Sequence, residues 1–466
     1  VPNRRRQAKQ PPASGLWGIR LAARLALALV SGAWAVGSDR LVNDNDPRTA
    51  LRGEVEAPAP QPQQEANALK AEAMEVATRL AEAYPDDALT HALLGSACFN
   101  TGQSAAAVRH LSRCLELEPA QTDALEVLAR LAYEKGEPEE AVRRCREALK
   151  HGGANPDLLN RLGQALLDLG QTDEAIAALR QAVGLPQPAG ESYYLLGQAQ
   201  LQAGAAAEAK ASLRRATELR PDHTQAWFGL FTACQRLGQS EEATRYREQF
   251  QKLESTDRRA LTDRNARDDT RSGLPLVRQT VARTVFGAAQ IQRSHGQSGP
   301  ATALYLRAAQ LDGGNPVYRA ALEAQFVQTK ALKEGLAAFQ QLAKEHPEDS
   351  LNYYYLARFH GRLQDYASAE SAYRKAQELA PDWPQGYRGL AEMFVRADRQ
   401  PAEARALARK AVELEPSPAN YQLLAVTCVK NNDRAGAVDA MRRAVALVPN
   451  DARYREFLRQ LESPPP

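Results

Sequence analysis

Gly102, Gly136, Gly170, Gly204 and Gly238 stand 34 residues apart, and Ala107, Ala141, Ala175, Ala209 and Ala243 keep the same spacing in register with them. Two such series are not an accident of composition. A unit of this length is a single supersecondary element, too short to enclose a core of its own, so it must bury its apolar face against the next copy. The chain is therefore constrained to a stacked array.

Within each unit the apolar spacing is helical. A large residue is followed three and four places later by Leu and a small residue: Leu159 with Leu162 and Gly163, Tyr193 with Leu196 and Gly197, Tyr353 with Leu356 and Ala357. That stripe is the inward face of an amphipathic helix. After the glycine a second helix carries pairs of small residues, Ala141 and Ala148, Ala175 and Ala182, Ala209 and Ala216, Ala369 and Ala376, where neighbours must approach closely. Pro119, Pro221, Pro347, Pro381, Pro416 and Pro449 follow these second helices, where a residue without an amide N–H ends the run. Aromatic residues are only 6% of the chain, so the core is built from small side chains, Ala above all. Alternating β-branched runs bounded by tight turns do not recur, which leaves an all-α class.

The 34-residue helix–turn–helix pattern resembles the tetratricopeptide repeat family. The resemblance implies a solenoid, or superhelix, of about ten repeats in two blocks. Residues 65–254 are expected to hold a capping helix and five repeats in strict register; 276–466 hold five more and a terminal capping helix. Between them, 255–275 alternates Asp and Arg and is expected to be a solvated, charged linker. Departures fall beside it: Phe231 and Phe250 stand at small-residue positions, so packing is expected to loosen there. Glu323 and Gly335 make the repeat at 316–349 the least secure.

The beginning of the sequence reads as an address. Arg4, Arg5, Arg6, Lys9, Arg20 and Arg24 precede the apolar run Leu25–Val36, and Ala33-Trp34-Ala35 offers the small residues a signal peptidase needs. Residues 1–35 are thus expected to be a cleaved export signal or an N-terminal anchor, with the run short for a span of about 20 residues. A Pro/Gln-rich, disordered linker follows at 36–64. Export places the body in the periplasm or another extracytoplasmic space; retention of the segment would anchor it to a membrane. Without the six basic residues of the address, 53 basic stand against 56 acidic, and no basic stripe of the nucleic-acid-binding kind is present.

No Walker loop, dinucleotide fingerprint, nucleophile elbow or haem signature occurs, the histidines are scattered, and the glycines are spent on turns. No catalytic residue, metal or cofactor is assigned. Cys98, Cys114, Cys145, Cys234 and Cys428 fall on core positions and read as small buried hydrophobes. A Cys98–Cys114 disulfide, or a redox or metal role shared with His91 and His110, stays open as an alternative in an exported protein.

The resemblance also implies that a polypeptide ligand lies along the outward positions of the first helices. In the first block these are Asn160, Gln164, Tyr194, Gln198 and Phe228, with Gln235 and Arg236; in the second they are Tyr354, Tyr355, Arg358, Arg362, Arg388 and Arg396, with Arg293 and Lys430. The second set is basic and aromatic, suited to acidic segments. Glu392 lies four residues from both Arg388 and Arg396, so ordinary helix ion pairs are the competing explanation there, whereas Arg358 and Arg362 have no such neighbour. The family's carboxylate clamp is not matched, since Ala92, Ser96 and Val127 occupy its places. The expected function is a protein–protein interaction scaffold. The alternative is a recognition or adaptor subunit of a separately encoded enzyme or envelope-assembly complex.

Overall fold

The computed structural model describes the backbone of residues 62–266 and 270–463 and the side chains of all of these except 259–272. The export signal and almost all of the linker expected at 36–64 lie outside the described residues. Only the end of that linker is seen, and it differs: Pro62 opens a helix, Pro62–Ala83, because a proline at the first helical position gives up an N–H that would be unpaired anyway. Every regular element described is an α-helix.

First helices start at Ala88, Thr122, Pro156, Gly190 and Thr224, and second helices at Ser104, Pro138, Thr172, Ala206 and Ser240, so the period of the sequence is the period of the fold. The same period returns at Pro316, Ser350, Pro384 and Pro418. The starts have local causes. The Asp87 carboxylate accepts from Leu89 N at 2.8 Å, the Asn155 amide oxygen from Leu158 N at 2.8 Å, and the Asp349 carboxylate from Leu351 N at 2.9 Å. The first helices stop at a left-handed residue. Gly102 has φ +76° and Gln103 N donates back to Cys98 O at 2.8 Å, closing the helix with a bond across six residues. In the later repeats the same conformation is held without glycine, by Lys330, Gln364, Asp398 and Asn432.

Between the two helices of a repeat, small and large residues match. A methyl group on Gly95 would stand 2.6 Å from Leu111 Cγ, and one on Gly163 would stand 2.6 Å from Leu179 Cγ. Where the first position is Ala129, the facing residue is the smaller Cys145, and both are fully buried. Ala141, Ala148, Ala175, Ala182, Ala209 and Ala216 have no exposed surface. At this spacing the backbones approach closely enough that packing, not propensity, sets stability.

The described chain forms two compact units, within Ser38–Ala288 and within Ala289–Pro466. The charged stretch 255–275 is not a separate coil: it is carried on the ends of Ser240–Ala266 and Thr270–Ser294, with 267–269 outside the described residues. Inside the first unit Arg278 Nε donates to Glu65 Oε1 at 3.0 Å, so the start of Thr270–Ser294 returns to the N-terminal helix. In the second unit, Ala452–Glu462 closes the last repeat, with Arg434 Nε donating to Leu461 O at 2.8 Å. Among the described residues no helix is long and apolar enough to cross a membrane.

Candidate functional site

The repeat at 316–349 replaces the usual packing residues by a buried ionic frame. Arg319 takes the place of the large apolar residue of the first helix and is fully buried, yet its donors are met: Nε by Asn352 Oδ1 at 2.7 Å, Nη2 by Asp349 Oδ2 at 2.5 Å, and Nη1 by Gly313 O. Burial nonetheless lowers its pKa. Glu323, at the small position, is only 9% exposed, and its Oε1 accepts from Arg358 Nε at 2.6 Å and Arg362 Nη2 at 3.1 Å. Gly335 leaves room that the Phe359 ring fills; Phe359 is completely buried and packs on Phe326 and Phe339. The repeat expected to be the least secure is thus held by specific contacts. Its odd residues Glu323 and Gly335 are complemented from the next repeat, by Arg358 and Arg362 and by Phe359.

Arg358 and Arg362 project from Ser350–Arg362, one turn apart, while Arg388, Glu392 and Arg396 form the matching stripe on Pro384–Ala397. Arg358 and Arg362 have no acidic neighbour at helix spacing, but both reach Glu323 in the preceding repeat. Burial alone would weaken the charge on Arg358, but the Glu323 hydrogen bond and the neighbouring Tyr354 outweigh it and raise its pKa. Arg358 Nη1 donates to Tyr354 OH at 3.1 Å, and the Tyr354 ring sits edge-on to Trp383 with centroids 5.0 Å apart. Arg388 pairs with Glu392 at 2.8 Å, as helix spacing allows. Arg396 is exposed and makes no ion pair or hydrogen bond among the described residues.

These two stripes border a cleft of about 110 Å³ whose lining includes Arg358, Arg362, Arg396, Glu392, Tyr373 and Gly361. Tyr373 is buried, which raises the pKa of its phenol, so it presents a neutral hydroxyl. Tyr355 does not belong to this surface. It is only 7% exposed, packs on Phe339 and Tyr354, and burial followed by the Glu323 charge pushes its phenol up to about 12. Lys430 is held elsewhere, 2.6 Å from Asp398, and the Arg293 guanidinium lies over the Tyr305 ring.

In the first unit the expected residues differ in exposure. Asn160 is buried rather than presented. Tyr194 leans on the His223 ring at 4.4 Å, Gln198 is exposed, Gln164 is half-buried, and Phe228 is 44% exposed against Phe231 and Phe250. The sequence reading missed Arg130, whose guanidinium lies 3.8 Å from the centre of the Phe99 ring one repeat earlier. All five cysteines are buried free thiols, which corrects the Cys98–Cys114 disulfide alternative. His91 and His110 stack with Nδ1 atoms 3.4 Å apart, and no group of three or more metal-ligating side chains occurs among the described residues.

A family model described as tetratricopeptide repeat matches residues 93–158, 126–193, 160–223, 194–244 and 332–384. No curated protein matches the chain. Among solved structures it is similar to YrrB, a tetratricopeptide protein with an unusual peptide-binding site: 22% identity, 41% of this chain and 97% of that one covered, TM-score 0.36. It is also similar to MamA from Desulfovibrio magneticus (21% identity, 37% and 95% covered, TM-score 0.33) and to yeast Tom70 (15% identity, 86% and 96% covered, TM-score 0.35). The matched repeats lie in the same helix–turn–helix register as the structure, and the chain is a tetratricopeptide-repeat protein.

Proposed function

We propose that this protein is a binding scaffold that captures partner polypeptides on the first-helix face of its second unit. The observation that carries it is the charge balance at the cleft: Arg358, Arg362 and Arg396 line it, and among the described residues the only carboxylates beside them are Glu392 in the lining and Glu323 bonded to Arg358 and Arg362. Such an excess favours acidic partners and speeds their encounter. Reversing Arg358 is a poor test, because it would set a second carboxylate against buried Glu323. Arg362→Gln with Arg396→Gln keeps the fold and removes donors. Crosslinked partners of the wild type, identified and then reconstituted from purified components, are expected to bind the double variant weakly and to dissociate as salt rises. Undiminished binding by the folded variant, insensitive to salt, would show that this face is not used.

The basic and apolar start ending in Ala33-Trp34-Ala35 supports export as part of the same proposal. The mature chain is then expected to begin at or near Val36 on N-terminal sequencing. An intact chain recovered from the cytosol argues against it.

A further inference from the structure

We infer that the cleft between Ser350–Arg362 and Pro384–Ala397 is a seat for one carboxylate of an acidic polypeptide, with Glu323 as the resident counter-ion that ligand binding must compete against. This rests on the scaffold function proposed above and names the chemistry of its site.

The donors are unequal. Arg358 commits two of its three nitrogens, Nε to Glu323 and Nη1 to Tyr354 OH. Arg362 gives only Nη2 to Glu323, so its remaining N–H groups are not committed to that carboxylate. Arg396, on the other helix, lines the same cleft with no partner among the described residues. Two guanidiniums with unused donors therefore face one small space, and a carboxylate can accept from both at once. Glu323 holds Arg358 and Arg362 in place by a single oxygen, Oε1, which sets their direction. Its charge opposes any incoming anion.

The floor carries a second sign. Gly361 is the penultimate residue of Ser350–Arg362 and is buried. The nearest atom to a methyl group there would be Met393 Cγ, at 3.8 Å, so a methyl group would not clash. The fold does not require glycine at this point. The empty volume does, because any longer side chain would project into the cleft that Gly361 lines.

The test uses the full chain, calorimetry and three probes: a decapeptide with one central Glu pair and an amidated end, the same peptide with Gln for Glu, and inorganic phosphate. The acidic peptide is expected to bind and the Gln peptide to bind at least about tenfold more weakly. Arg396→Gln should weaken the acidic peptide about tenfold, and Gly361→Leu should abolish binding while every arginine remains. Glu323→Gln keeps an acceptor for both arginines and removes the competing charge, so it should tighten the acidic peptide about threefold or more. A purely structural Glu323 would give no tightening. Circular dichroism shows that each variant is folded; should Gly361→Leu unfold, Gly361→Met takes its place. Equal binding of both peptides, undiminished binding by Arg396→Gln, or binding of phosphate alone each overturns the carboxylate seat. Partner capture that survives in the Arg362→Gln, Arg396→Gln protein while these probes follow the expected pattern would instead sink the scaffold site and leave the seat standing. A decapeptide with a free C-terminus and no acidic side chain distinguishes a terminal carboxylate from an internal one.

Discussion

Glu323 and Arg358 are separated by 35 residues of chain and by 2.6 Å in space, and the carboxylate is only 9% exposed. One period plus one residue is the offset at which neighbouring first helices meet here. Truncating one partner leaves the other charged and partly desolvated, which costs more than the pair is worth intact. Glu323→Ala and Arg358→Ala should each destabilise the second unit, and a double-mutant cycle followed by urea unfolding should give a coupling of about 1–3 kcal/mol. Additive effects would mean that the contact carries no energy of its own.

The match of small and large residues inside a repeat predicts a rescue. Gly163→Ala forces a methyl group to 2.6 Å from Leu179 Cγ, and overpacking of this kind costs about 1–3 kcal/mol. Adding Leu179→Cys recreates the Ala129 and Cys145 combination and should recover most of the loss in thermal unfolding. If the double variant is no better than Gly163→Ala alone, the pairing of these positions is not what sets the spacing.

Lys330, Gln364 and Asn432 sit at φ 59°, 64° and 58°, in the left-handed turn that glycine fills at Gly102, Gly136 and Gly170. A side chain there strains the backbone, so Lys330→Gly and Gln364→Gly should each stabilise by about 0.5–1 kcal/mol. The reverse change, Gly136→Ala, should destabilise by about 1 kcal/mol. Asn432 should respond least, because its short polar side chain tolerates this region.

Burial pushes the Cys114 and Cys145 thiols up to about 12. The unfolded thiols ionise near about 8.5–9, so between these values the folded state binds more protons than the unfolded one. Stability contributed by these groups is complete below about pH 8.5 and falls as pH rises toward 12. Urea midpoints should therefore decline above pH 9, and less steeply in a Cys114→Ala, Cys145→Ala protein once its lower baseline is subtracted. Iodoacetamide at pH 8 should label neither thiol until the chain is unfolded.

The repeat and its helix boundaries were legible in the sequence for a reason of scale. Each turn uses a left-handed residue, most second helices use alanine at two fixed points, and these are local demands that recur with the period. Gly102 to Gly238 and Ala107 to Ala243 therefore mark the helix ends and the closest contacts directly. The same logic placed Cys98, Cys114 and Cys145 in the core, because their positions are core positions in every repeat.

The candidate site was only half legible. Position in the repeat brought Arg358, Arg362, Arg388 and Arg396 onto one face, and helix spacing anticipated the Arg388–Glu392 pair. It did not decide which charges remain available, since that depends on contacts one period away: Glu323 with Arg358 and Arg362, Arg374 with Glu403, Glu126 with Asn155. A glutamate at a small-residue position, one period before two arginines, was the signal that could have been read. Nor did position alone separate Tyr354 from Tyr355. Adjacent helical residues point about 100° apart, and whether each meets solvent or a neighbouring ring is set by how the next helix lies across it. Sequence determined the period, the helices and their ends, because those are fixed by local backbone chemistry; only the tertiary structure decided which charges are already neutralised, because that is fixed by the packing of one repeat upon the next.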